Sequence, residues 1–144
     1  MELGSQEGYA ELIGLSDCDF VEVKGATWSE QMGKAGLSFS EAIPAHEDVR
    51  EFADRLASAL PGYGVACEHA HSCAVLLARR DRFFEPTGRW RTWIDFDRFA
   101  DAAVAGRTLE VLDFTVETPE WALADSEAGG FDPAERRVFR KRPA

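Results

Sequence analysis

Cys67, His69, His71 and Cys73 stand at alternate positions within residues 63–79, and all four side chains have metal-ligand chemistry. In an extended strand the four share one face, which invites a zinc reading. The spacing argues otherwise. Alternate strand residues sit about 6–7 Å apart, whereas tetrahedral zinc draws each donor to about 2.0–2.3 Å. A neighbouring pair alone could chelate, with further ligands needed from elsewhere, so no metal is expected. The thiols then serve as small buried hydrophobes and the histidines hydrogen-bond across the turn with Glu68 and Ser72 beside them.

Two further groups carry chemistry. Trp90, Arg91, Trp93 and Asp95 interleave aromatic and charged side chains, either as a base-stacking platform or as an aromatic-rich core strand. Arg79, Arg80, Arg82, Arg89 and Arg91 cluster in mid-chain, and Arg136, Arg137, Arg140, Lys141 and Arg142 close the sequence. They are either solvated surface charge or a local patch for phosphate. Whole-surface attraction to nucleic acid is excluded, because 26 acids against 16 bases give a net charge of −10 and phosphate binding depends on Lys and Arg.

The elements that position these groups follow from periodicity. Gln6 to Leu15 reads as a short helix with Tyr9, Leu12 and Ile13 on one side and Gly14 at its end. Residues 19–24 read as a strand with Val21 and Val23 on one face and Phe20, Glu22 and Lys24 on the other. Residues 25–40 read as a Gly- and Ser-rich loop. The clearest helix covers 44–60, with Val49, Phe52, Ala53, Leu56 and Leu60 in one apolar stripe. His46 and Glu47 open it, Glu47 complementing the helix dipole, and Pro61-Gly62 stops it. Residues 63–70 and 73–79 make a hairpin whose second arm is apolar on both faces and therefore central. Residues 90–94 suggest a third strand. Asp95 is an N-cap for a helix turning Phe96, Phe99, Ala100 and Ala103 inward. Residues past Thr118 show little periodicity and read as an ordered tail or long loop.

The chain is 144 residues long, 45% hydrophobic, with Phe 10 and Trp 4. That is one-domain length with ample core material. Three scattered cysteines argue against a disulfide framework and fit a reducing compartment. The start Met1-Glu2-Leu3-Gly4 carries no basic or apolar leader, and no apolar run is long enough to span a bilayer. A soluble cytoplasmic protein without a membrane partner is expected.

The order of pieces adds a resemblance. Residues 9–13 (YAELI), 19–25 (DFVEVKG), 43–49 (IPAHEDV), 63–79, 90–95 (WRTWID), 118–123 (TPEWAL) and 130–133 (GFDP) follow one another as in the C-terminal wyosine base formation region of the tRNA 4-demethylwyosine synthases. His46, Glu47, Cys67, Glu68, His69, His71, Ser72, Trp93, Asp95, Trp121, Phe131, Asp132 and Pro133 carry it. These are radical-SAM lyases of wybutosine biosynthesis. The resemblance implies an α+β fold in a single domain over residues 1–144. Residues 1–25 would supply a barrel-edge helix and strand, the last part of a radical-SAM partial barrel. Residues 26–144 would form a C-terminal extension with a long amphipathic helix, an antiparallel hairpin and a further helix.

It also implies a function: tRNA modification by condensation of N1-methylguanosine in phenylalanine tRNA with pyruvate. The whole enzyme would use a 4Fe-4S cluster and S-adenosylmethionine, with FMN a further candidate. Cys18, Cys67 and Cys73 show no Cys-x3-Cys-x2-Cys spacing, so this chain is expected to hold no cofactor itself and to be catalytically silent alone. Its partners would be tRNA, pyruvate and a radical-SAM core, in the same polypeptide or a separate chain. Lys24 sits where a barrel strand ends and chemistry gathers. It is a Schiff-base candidate beside Glu22, since a buried amine is more readily neutral. An ion pair with Glu22, or a contact to tRNA phosphate or a substrate carboxylate, explains the same residue. Arg79, Arg80, Arg89, Arg91, Arg137, Arg140 and Lys141 are the tRNA-contact candidates. A free-standing, non-catalytic tRNA-binding or scaffolding module is the alternative.

Overall fold

A computed structural model of the chain describes residues 6–127 and residue 130. The fold is α+β. Helix α1 (Gln6–Ser16) leads to β1 (Phe20–Lys24), two short helices α2 (Glu30–Lys34) and α3 (Phe39–Ala42), and the long α4 (His46–Ser58). Strands β2 (Tyr63–His69) and β3 (Ala74–Arg79) follow, joined by a 3-10 turn at Ala70–Ser72. Then come α5 (Arg80–Phe83), β4 (Trp93–Ile94), α6 (Phe96–Val104), α7 (Val111–Phe114), β5 (Thr115–Val116) and a 3-10 turn at Glu120–Ala122.

The sheet order is β1-β3-β2, antiparallel throughout, with β3 in the centre. Its sequence AVLLAR has no polar residue before Arg79, as a strand buried on both faces requires. The register pairs Glu22 with Leu76 and Lys24 with Ala74. A bulge between Val65 and Cys67 shifts the register of β2 and adds local twist.

Each face has its own core. On one, Val49, Phe52, Ala53 and Leu56 of α4 pack with Leu60, Val75 and Leu77, and Val21, Val23 and Cys73 close around them. The helix is two residues shorter at each end than the expected 44–60, because Ala45 is its cap: Asp48 accepts a 3.0 Å hydrogen bond from the Ala45 amide, satisfying a donor the helix cannot. On the other face Ala66, Ala78, Phe83 and Trp90 form a second cluster with Phe20, Cys67, Val111 and Leu123.

Several sequence expectations shift. Residues 25–40 contain α2 and α3, because Ser29 caps α2 by accepting from the Met32 amide at 3.4 Å and Lys34 pairs with Glu30 at 3.6 Å. Helix α1 runs past Gly14 to Ser16, and Asp17 ends it with φ 48°. Ala10 and Ile13 face the core, while Leu12 is 64% exposed. In α6 the inward residue is Ala102, fully buried, whereas Phe96 is 69% exposed. The helix docks through Phe99, whose ring meets Phe114 edge-on at 5.2 Å, so the stripe is 99 and 102 rather than 96, 100 and 103. The strand expected over 90–94 is only β4, paired with β5 outside the main sheet. Past Thr118 the chain runs along the free edge of β2. Cys67 bridges Leu123 and the Ala124 amide donates to the Ala66 carbonyl at 3.2 Å, which shields an edge otherwise open to pairing. Gly130, at φ +70°, packs so tightly on β2 that a Cβ there would stand 2.6 Å from the Glu68 carbonyl oxygen.

Candidate functional site

The bulge in β2 delivers Cys67 to the face opposite α4. There its thiol meets the Thr92 hydroxyl at 3.0 Å, and Thr92 meets the Thr118 hydroxyl at 2.9 Å. The Thr92 amide donates to the Thr118 oxygen at 3.0 Å. This relay joins three segments distant in sequence. Burial pushes the Cys67 thiol pKa up, opposed by its hydrogen bonds to Thr92 and Thr118, so the sulfur stays a protonated, poor nucleophile at neutral pH.

Above the relay lies a cavity of about 270 Å³ lined by Cys67, Glu68, His69, Thr92, Thr118, Trp93 and Trp121, with Glu22, Ala74, Val75, Leu76 and Ala122. Trp93 and Trp121 meet edge to face at 5.7 Å and 84°, and His69 approaches Trp121 at 6.3 Å. The His69 ring is oriented by Ser72, whose hydroxyl lies 2.6 Å from Nδ1. The cavity thus gathers six residues the sequence singles out: Glu22, Cys67, Glu68, His69, Trp93 and Trp121. Thr92 and Thr118 were not among them. Their signal, a threonine between two tryptophans and another before Pro119, has meaning only once β4 and β5 are paired.

Other candidates lie apart. Cys73 turns into the α4-side core with φ 51°, so Cys67 and Cys73 occupy opposite faces of the sheet. Among the described residues no three His, Cys, Asp or Glu side chains are placed to hold a metal ion. Cys18 sits far along the sheet, near the Tyr63 hydroxyl at 3.8 Å. The three thiols do not converge and do not fit an iron–sulfur cluster. His71 stands 6.2 Å from His69, ring to ring. Both ring nitrogens of His46 are buried without a hydrogen-bond partner among the described residues; Glu47 and Asp48 supply the acidic first turn of α4.

Lys24 lines a larger groove of about 970 Å³ between the β1 end, α3 and the start of α4, with Gly25, Ile43, Pro44 and Asp48. Gly25 is required there: a Cβ would come 2.7 Å from the Cys73 sulfur. Glu22 and Lys24 therefore face different hollows, and no ion pair joins them among the described residues.

The mid-chain arginines are engaged. Arg79 lies between Asp17 and Asp81, at 2.8 Å from the latter; these hydrogen bonds raise the Arg79 pKa and lower that of Asp81. Arg80 stacks over Phe84 and Trp90 at 5.3 and 5.5 Å. Arg89 pairs with Glu117. Arg91 reaches the Thr115 carbonyl and lies 3.6 Å from Glu85. Trp90, only 8% exposed, is core, whereas Trp93 is 43% exposed. Asp95 caps α6 by accepting from the Arg98 amide at 3.0 Å. Phe131, Asp132, Pro133, Arg137, Arg140 and Lys141 lie outside the described residues. Among those described, no helix is long and apolar enough to cross a membrane.

Fold and site define a small α+β module with one aromatic-walled cavity built from the sheet and a β4–β5 ribbon. Residues 15–79 match the wyosine base formation family. A rice protein named S-adenosyl-L-methionine-dependent tRNA 4-demethylwyosine synthase is 44% identical over 137 residues, covering 94% of this chain and 21% of that protein. Its Xenopus laevis and human namesakes are 41% and 37% identical over 141 residues, covering 94% of this chain and 19% of each. The family match runs from the end of α1 to the end of β3. It spans about a fifth of the length of these relatives.

Proposed function

We propose that the chain is the C-terminal domain of a tRNA 4-demethylwyosine synthase. In it the domain supports condensation of N1-methylguanosine in phenylalanine tRNA with pyruvate, the lyase step of wybutosine formation. The observation that carries this reading is the 36–44% identity to such enzymes across 94% of the chain. The cluster and S-adenosylmethionine belong to a radical-SAM core, and no step is routed through this chain's thiols. Residues 1–25 continue that core. Supporting this, β1 is the outer strand of its sheet, with a pairing edge available among the described residues, and α1 presents Tyr9, Leu12 and Leu15 exposed, as a helix awaiting cover does.

Lys24, at the end of β1 in the larger groove, is positioned for a substrate carboxylate or for Schiff-base chemistry. Phosphate contacts fall to Arg80 and Arg89, with Arg137, Arg140 and Lys141 of the terminal segment, because Arg79 and Arg91 are more firmly tied. The cytoplasm is where the proposed substrate is met.

A chimera tests the reading. This chain replaces the matching segment of the rice enzyme in cells lacking their own synthase, and tRNA nucleosides are read by mass spectrometry. Restored 4-demethylwyosine is the expected result. Accumulated N1-methylguanosine, with the chimera folded and its cluster loaded, would overturn it.

A further inference from the structure

We infer that the cavity between the sheet and the β4–β5 ribbon is a seat for one unstacked nucleobase carrying an exocyclic amino group, stacked on Trp93 and hydrogen-bonded to Glu22. This deepens, and rests on, the RNA-substrate reading above.

Three observations carry it. The first is the division of labour between the two tryptophans of the WRTW run. Trp90 is 8% exposed and belongs to the core, but Trp93 is 43% exposed and borders the cavity. A tryptophan needed only for packing would be placed like Trp90. Trp93 is instead held rigid by the edge of Trp121 at 84°, which leaves a fixed aromatic surface at little entropic cost. Bases in RNA loops are read by such stacking.

The second is charge. Among the described residues no Lys or Arg lines this cavity, and its carboxylates are Glu22 and Glu68. Glu68 is bound to Arg50 at 2.5 Å. No ion pair or hydrogen bond occupies the Glu22 side chain among the described residues, so it is the free acceptor at the rim. A phosphate or carboxylate ligand is repelled there, whereas an amino-bearing base edge is matched, since carboxylates accept from base amino groups. Uracil offers no such donor.

The third is size. At about 270 Å³ the cavity falls just below the usual range of ligand pockets, which starts at roughly 300 Å³. It suits one ring system with its sugar and phosphate left outside. Thr92, Thr118 and Cys67 satisfy one another beneath it, so a flat apolar ring strands no buried polar group.

The test uses the full chain and an anticodon stem-loop RNA, with affinity read by anisotropy across a salt series. Trp93→Ala should weaken binding about tenfold, within the range for losing one stacked base, while the slope of log affinity on log salt stays unchanged because no phosphate contact is lost. Trp93→Phe should retain most of the affinity. A set of hairpins, each with one abasic loop nucleotide, reads the same contact without altering the protein. One position should reproduce the loss, and combining it with Trp93→Ala should add nothing. Replacing that base by an analogue lacking its amino group should weaken the parent chain but not Glu22→Leu. If the parent binds and no abasic position matters, the base seat is overturned while the RNA reading stands; the cavity then suits an apolar side chain of a protein partner. If the parent binds no RNA at any salt, the RNA reading and the seat fall together.

Discussion

The two faces of the β1–β3–β2 sheet are covered by different means. On one face a single 13-residue helix, α4, lays four buried side chains on the strands and seals them. On the other, cover is assembled from α5, the 90–93 segment and the 118–123 segment. It is tight at Phe83 and Trp90 and open at Trp93 and Trp121. A continuous helix gives stability through a repeated stripe. A patchwork of short segments leaves a hollow whose walls come from different parts of the chain, and that is where selectivity can be built.

The largest expected effects lie in the sealed regions. Phe83, fully buried beside Phe20 at 4.4 Å, should cost about 3–5 kcal/mol on truncation to Ala, and Leu56→Ala about 2–5 kcal/mol, both read by urea unfolding. If either costs less than Trp93→Ala, the contrast between sealed and open cover is broken.

A middle-sized effect sharpens the comparison at the Tyr63 end of the sheet. Burial, then the hydrogen bond to Cys18, pushes the Tyr63 phenol up to about 12, against about 10 in an unfolded chain. A folded-state pKa raised in this way gives stability that is complete below about pH 10 and is lost as pH rises toward 12. Alkaline unfolding of Tyr63→Phe should therefore be less steep than that of the parent between those values. Identical curves would remove the phenol from the account.

The smallest effect belongs to the solvent side of α4. Arg55→Ala breaks an exposed pair with Glu51 at 3.0 Å and should cost no more than about 0.5 kcal/mol. It should leave RNA affinity unchanged, which separates general surface charge from the proposed contacts.

How legible each face is in the sequence follows the same division. The α4 stripe recurs at helical spacing, so Val49, Phe52, Ala53 and Leu56 declare themselves, as does β3, apolar up to Arg79. Asp95 is readable as a cap because capping is local. The cavity is not local. Thr92 and Thr118 acquire meaning through β4–β5 pairing, a two-residue ladder too short to leave an alternating pattern. The 3-10 turn at Ala70–Ser72, which leaves Cys67 and Cys73 on opposite faces, is likewise invisible to a count of two. Stripe reading also fails in α6, where Ala102 is the buried residue and Phe99 meets Phe114.

The most direct test measures unfolding and RNA affinity together for Leu56→Ala and Trp93→Ala. Leu56→Ala should lower stability by about 2–5 kcal/mol and, at a temperature where it remains folded, bind the stem-loop as the parent does. Trp93→Ala should unfold close to the parent and bind about tenfold more weakly. Two variants that lose stability and affinity in proportion would contradict the claim that the sealed cover holds the fold while the open hollow reads the base.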